Sequence, residues 1–256
     1  MKSTLRVLIC LLAGCSEVPK GGVDRTGGPS GDPAAMLRDA EAAFAKDPRS
    51  WEEVERSLDL CERLAGADPK NVEALWRGAR AGAWLSQFDM DPSKKKPYAL
   101  RALKLANSAV AAAPGRADCR YYRALAVGFL AQADSDYGLD AMKEMEAEAK
   151  KAAELDPAVD RAGPWRFLGN FYRETPGPPT GPGSIRKSLQ CFEKAEAIVP
   201  GEPENALYHG RSLRAKGDLE AARAKWQNVL AAPPVPGKTT EQAAWRTEAR
   251  RELDRP

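Results

Sequence analysis

The sequence predicts an all-α protein: a right-handed solenoid of about five helical hairpins, closed at its C-terminal end by one more helix, eleven helices in all. Three observations predict it. Alanine is abundant and β-branched residues are sparse in the 256-residue chain, a composition that favours helix over strand. Proline stops recur at Asp68-Pro69, Ala113-Pro114, Asp156-Pro157, Val199-Pro200 and Pro233-Pro234, and a proline just past a helix ends it and begins the next unit. Between stops the large apolar residues fall at helical spacing, so each hairpin carries a face that it cannot bury without a neighbour.

The N-terminus stands outside this pattern. Lys2 and Arg6 precede a short apolar run that closes on Leu12-Ala13-Gly14-Cys15. The run is too short to remain as a membrane span. The four-residue box resembles a bacterial lipobox, which makes residues 1–15 a signal peptide and Cys15 the lipidation site. Ser16 in the next position favours the outer membrane, and hence a periplasm-facing lipoprotein. Residues 16–32 hold five Gly, two Pro and no apolar period, and read as a flexible tether with a reach of roughly 20–25 Å. The helical domain then covers residues 33–256.

Within the domain, Pro33 to Ala45 and Ser50 to Leu64 read as a shortened first hairpin. The unit ending at Pro114 is over-long, with its surplus around Phe88 to Pro97. In the next, Tyr122, Leu125, Ala126 and Phe129 fit the first helix and residues 134–138 mark the turn. The unit ending at Pro200 is the most informative. Trp165, Leu168, Gly169 and Tyr172 reproduce the W-x2-L-G-x2-Y signature of a tetratricopeptide repeat, and Ser188, Phe192 and Ala195 reproduce its second helix. Its extra residues lie in the Pro/Gly stretch from Glu174 to Ser184. Successive stops are 45, 43, 43 and 34 residues apart, so only the last unit, with Gly210, Gly217-Asp218, Ala222 and Trp226, has the regular repeat length. Thr240 to Leu253, with Trp245 and Ala249 among charges, is the closing helix, and Thr240 is its expected N-cap.

The chemistry-bearing residues form no catalytic set, so the sequence reads as a non-enzymatic scaffold. His209 is the chain's single histidine and sits mid-helix, where a nucleophile-base pair has no second member. Asp89-x-Asp91-x-Ser93 opens like a calcium loop, but Lys94 and Leu100 replace the Gly and Glu that the loop needs. There is no Gly-rich phosphate loop and no cysteine pair at metal spacing, so neither cofactor nor metal is expected. Cys61, Cys119 and Cys191 read as small residues near packing faces. Loss of Lys2 and Arg6 leaves 37 cations against 36 acids, which argues against nucleic acid as a partner.

What remains is the inner face of the stack. First-helix positions one residue after the anchor, and every turn beyond, give Arg123 and Val127, then Arg166, Asn170 and Arg173, then Leu207, Arg211 and Arg214. Guanidinium forks grip carboxylates, so this face is expected to bind an acidic protein segment or an organic acid, with the loop from Pro176 to Gly183 as a wall or lid beside it. On this reading, replacing Arg166 and Arg173 by Ala abolishes capture without altering the helical melt.

Asp156-Pro157, Ala162-Gly163-Pro164-Trp165-Arg166-Phe167-Leu168-Gly169, Tyr172, the Pro/Gly loop and Cys191-Phe192-Glu193-Lys194-Ala195 together resemble the T-component lipoproteins of tripartite ATP-independent periplasmic (TRAP) transporter systems. The regular final repeat departs from that pattern. The resemblance implies a lipid-anchored periplasmic accessory that binds a solute-binding protein and a small apolar or organic-acid ligand. An envelope-assembly or peptide-binding adapter is the alternative.

Overall fold

The computed structural model describes residues 32–88, 91–133 and 139–255. The expected Cys15 anchor, the tether and the turn at 134–138 lie outside the described residues. The elements are α1 (Pro33–Phe44), α2 (Trp51–Ala67), α3 (Val72–Phe88), α4 (Pro92–Ala112), α5 (Ala117–Ala133), α6 (Leu139–Leu155), α7 (Val159–Glu174), α8 (Ile185–Ile198), α9 (Pro203–Lys216), α10 (Leu219–Ala231) and α11 (Thr239–Asp254). The described residues are all-helical, as the composition and proline stops require.

Local sequence starts and stops these helices. Asp32, Ser50, Asp91, Ser184 and Asp218 each accept a hydrogen bond from a backbone N–H of the first turn, which satisfies donors that the helix itself leaves free. Asp91, read above as a failed calcium position, is thus a helix cap. Gly217 ends α9 in the left-handed conformation at φ 93°, the usual role of glycine there. Thr240 does not cap α11. The helix starts one residue earlier, after Lys238, and the Thr240 hydroxyl donates instead to the Arg49 carbonyl at 2.8 Å.

Consecutive helices pack as hairpins. The odd-numbered helices also touch one another, α1 on α3, α3 on α5, α5 on α7, α7 on α9 and α9 on α11, and so form the inner layer. Close approach within a hairpin depends on glycine. A Cβ on Gly169 would lie 2.5 Å from the Phe192 ring, and one on Gly210 would lie 2.4 Å from Trp226 Nε1. The two motif glycines therefore seat the large residue of each second helix against the first.

Candidate functional site: a half-open cavity on the inner face

The two ends of the stack meet. Thr239 donates its backbone N–H to Asp47 Oδ1 at 3.0 Å. Arg49 donates to the Gly237 carbonyl at 3.0 Å and to Phe44 O, and makes a buried ion pair with Glu241. Glu241 Oε1 also accepts from Trp84 Nε1 at 3.0 Å. The loop between α1 and α2 is thereby tied to the start of α11, and the inner helices surround a cavity of about 370 Å³.

The cavity is graded from one end to the other. The N-terminal halves of α5, α7, α9 and α11 bring Tyr121, Asp160, Arg166, Glu204 and Glu241 to one end, with Arg49, Arg80 and Lys238. Farther along the helices the wall becomes apolar, with Phe88, Leu125, Phe129, Met145, Phe167 and Phe171. Tyr208 and Trp245 also line it, and neither the Tyr208 hydroxyl nor the Trp245 indole N–H has a partner among the described residues. Both atoms are sealed within the wall rather than presented to the cavity space, and buried polar atoms are normally satisfied, so each weakens the packing there.

The polar end rests on an unusual backbone. Asp160, Arg161 and Ala162 are consecutive non-glycine residues in the left-handed region, at φ 46°, 56° and 64°. Such residues cost about 1–2 kcal/mol each, and the turn persists because its carbonyls are held. Arg166 donates to Asp160 O at 3.2 Å and to Arg161 O at 3.1 Å. Asp160 Oδ2 accepts from Arg166 at 3.0 Å and from the Tyr121 hydroxyl at 2.9 Å. Gly163 follows because a Cβ there would lie 2.5 Å from the Tyr121 ring.

Electrostatics follow the burial. Burial pushes the Glu204 carboxyl up to about 7, against the pull of Arg166 at 3.2 Å. Burial also opposes ionisation of Asp160, but Lys238 and Arg166 outweigh it and hold that carboxyl below its ordinary value. For Arg166 the penalty of burial is likewise overcome, by Glu204, Tyr121 and Asp160, and its proton is held more tightly than usual.

Of the expected binding residues, the structure brings two to the cavity wall, Arg166 and Asn170. Arg166 is buried and fully engaged by its own chain, donating also to Asn205 Oδ1 at 3.1 Å. Arg173 pairs with Glu174 and donates to Asn170 Oδ1 at 3.1 Å. Arg123 pairs with Glu144 and Glu148, while Val127 is buried with Met142 and Met145. The reason is register. In α5 Ala124 is buried in the cluster with Ala141, Met142 and Met145 of α6, and Tyr121, Leu125 and Phe129 take the inner face. Leu207 is buried with Trp245, and Arg211 and Arg214 face α11 through Glu248 and Glu252. The final helix therefore covers the face that these three residues were expected to present. The loop from Pro176 to Gly183 folds on itself, Gly183 N–H to Pro176 O at 2.8 Å, and contributes nothing to the wall.

His209 lies outside the cavity, stacked on Phe192 with Nδ1 2.9 Å from Glu196. Cys61, Cys119 and Cys191 are buried, unbridged thiols. Sequence reasoning missed Arg49, Trp84, Glu204, Glu241 and the left-handed turn. The Gly163-Pro164 pair inside a helical pattern was the available signal for the turn, since the residue before proline is biased away from helix.

Several solved structures share this architecture. The tetratricopeptide protein TTC0263 of Thermus thermophilus superposes with a TM-score of 0.62 at 20% identity, covering 87% of this chain and 99% of that one. The pilF protein of Pseudomonas aeruginosa gives 0.54 at 13% identity, over 86% and 90% of the chains. MamA of Desulfovibrio magneticus gives 0.51 at 17%, over 88% and 99%. They establish a tetratricopeptide-like solenoid. Regulator of microtubule dynamics protein 3 of Mus musculus is 27% identical over 191 residues, 68% of this chain and 39% of the relative. The Rattus norvegicus protein gives the same figures. The chain thus spans about 39% of the length of these curated relatives. A family model described as Regulator of microtubule dynamics protein 1-3 matches residues 36–176, more than half of the chain. With a tetratricopeptide-like stack built around residues 36–176, this chain belongs to the family of regulators of microtubule dynamics 1-3.

Proposed function

We propose that this protein is a non-enzymatic adapter that binds a protein partner through its helical-repeat domain and encloses a small ligand on its inner face. The observation that carries the reading is the cavity, where an aromatic wall meets a charged end built from Arg49, Arg80, Asp160, Arg166, Glu204 and Lys238. Pockets that enclose small molecules combine apolar walls with a few convergent polar groups in this way. The lipobox ending at Cys15 supports attachment to a bacterial membrane through acyl chains, facing the periplasm from the outer membrane. In its finer form the protein is a transporter accessory of the T-component kind, with a solute-binding protein as partner. That form is supported by the motif around Trp165 and by the cavity.

Native mass spectrometry of the soluble chain from Ser16 onward, purified without added ligand, tests the ligand half. A small molecule released on denaturation supports it, and a clean apo mass counts against it. Crosslinking in whole envelopes tests the partner half: recovery of a solute-binding protein supports the transporter form, and an outer-membrane complex supports an adapter unconnected with transport. Absence of any crosslinked protein would overturn the adapter reading itself. Family membership favours a second reading, in which the partner is a microtubule, since the relatives are named regulators of microtubule dynamics. Co-sedimentation with polymerised tubulin decides that reading, and a chain left in the supernatant excludes it.

A further inference from the structure

The polar end of the cavity keeps one cation that its own chain does not satisfy. Each guanidinium there has a carboxylate: Arg49 is paired with Glu241, Arg80 holds Glu41 at 2.7 Å, and Arg166 holds Asp160 at 3.0 Å. Among the charged groups of the lining, that leaves Lys238 and Glu204. The Lys238 ammonium lies 3.7 Å from Asp160 Oδ1 and 3.9 Å from Glu241 Oε1, its nearest carboxylate oxygens among the described residues. Both are beyond hydrogen-bond reach. The Lys238 side chain is 24% exposed, so it stands at the mouth, within reach of a guest.

Glu204 does not supply the missing charge. It shares Arg166 with Asp160, at 3.2 Å. Arg166 and Asp160 face it from α7, Tyr121 from α5, Lys238 from ahead of α11, and Glu202 and Tyr208 from the chain around α9. Burial raises its carboxyl to about 7, so below that pH the polar end carries a surplus positive charge.

Aromatic rings begin beside this cation. The Glu241 Oε1 atom that lies 3.9 Å from Lys238 also accepts from Trp84 Nε1 at 3.0 Å. Trp84 leads to Phe88, with ring centroids 5.0 Å apart, and Phe167 and Phe171 stack at 6.4 Å on α7. All four line the cavity, whose volume of about 370 Å³ suits a small molecule. Ring faces and edges reward an aromatic guest beyond the area that it buries.

We propose that the ligand is a small aromatic monoanion, with its anionic head on the Lys238 ammonium and its rings against Trp84, Phe88, Phe167 and Phe171. The inference rests on the ligand half of the function proposed above, and names the ligand's chemistry and the residue that selects it. The head completes a charge-assisted hydrogen bond that no carboxylate of the chain makes.

The test titrates the full chain with two fluorescent probes of like shape, anilinonaphthalene sulfonate and the uncharged phenylnaphthylamine. The sulfonate is expected to bind at one per chain and about tenfold or more tighter than the neutral probe, the effect of one hydrogen bond between charged groups. Lys238→Gln removes the preference and Lys238→Arg keeps it. Between about pH 8 and pH 6 the sulfonate stays ionised, so its affinity rises only as Glu204 takes up a proton, and Glu204→Gln flattens that rise. Dodecanoate, an anion with a straight chain, displaces the sulfonate only at about tenfold higher concentration than naphthoate does. Equal binding of the two probes, or a preference that survives Lys238→Gln, overturns the proposal and leaves an enclosed ligand standing. Displacement by dodecanoate at or below the naphthoate concentration also overturns it, and assigns the cavity to an acyl chain. Failure of both probes to bind sinks the ligand reading together with this inference.

Discussion

Arg49 and Glu241 lie 192 residues apart and form a buried ion pair that ties the first hairpin to the last helix. Removing one partner of such a pair leaves an uncompensated buried charge and costs about 3–5 kcal/mol. Arg49→Ala is therefore expected to lower stability by about that amount in urea unfolding, whereas Arg49→Met with Glu241→Leu restores much of it. Equal loss in the single and double variants would show that the pair does not couple the two ends.

Arg166 is a structural residue before it is a ligand contact. Its guanidinium holds two carbonyls of the left-handed turn, so Arg166→Ala should lower the melting temperature as well as any binding. This replaces the expectation of an unchanged melt. Ala162→Gly, which relieves one left-handed residue, should raise stability by about 1 kcal/mol in the wild-type background. A thermal melt by far-UV dichroism reads both.

Gly169→Ala places a methyl group 2.5 Å from the Phe192 ring. Overpacking of this kind costs about 1–3 kcal/mol. A Cβ on Gly115 meets nothing within 4 Å, so Gly115→Ala is the control and should be neutral or slightly stabilising. Denaturant midpoints for the pair measure the difference.

Glu204 gives stability a pH dependence of defined sign. Burial raises its carboxyl from 4.5 to about 7, so between those values the unfolded chain has lost the proton and the folded chain keeps it. This group's contribution is full below about pH 4.5, declines as pH rises, and levels off above about 7. The stability of wild type minus that of Glu204→Gln should fall across that window. A flat difference would exclude a raised pKa at this site.

Burial pushes the Cys61 and Cys119 thiols up to about 12 and the Cys191 thiol to about 11. Thiolate is the reactive form, so a disulfide reagent at pH 8 should leave these three unmodified in the folded protein and label them in urea. Rapid native labelling at any of them would mean that its helix opens locally.

Much of the fold was legible because it depends on local rules. The proline stops and the signature around Trp165 act within a few residues, and each marks a helix where the structure has one; the caps at Ser50, Asp91, Ser184 and Asp218 act as locally but were not read as caps from the sequence. The site was less legible. Arg166 and Asn170 were found by counting from Trp165, where a strong anchor sets the register. The same count failed in α5, where Tyr122 looks like an anchor but Ala124 packs with α6, because one face of an alanine-rich helix is hard to tell from another by spacing alone.

The sequence by itself determined an all-helical chain, its hairpin boundaries and the close approach at Gly169 and Gly210, since turn chemistry and helical period act along the chain. Only the tertiary structure decided that the stack closes on itself, that α11 covers Arg211 and Arg214, and that Asp160 to Ala162 adopt a left-handed turn. Each of these depends on groups far apart in sequence: Arg49 on Glu241, Arg211 on Glu248, and Arg166 on Glu204 and Asn205. Such pairs are set by how the hairpins stack in space, and no local pattern in the chain encodes the distance between them.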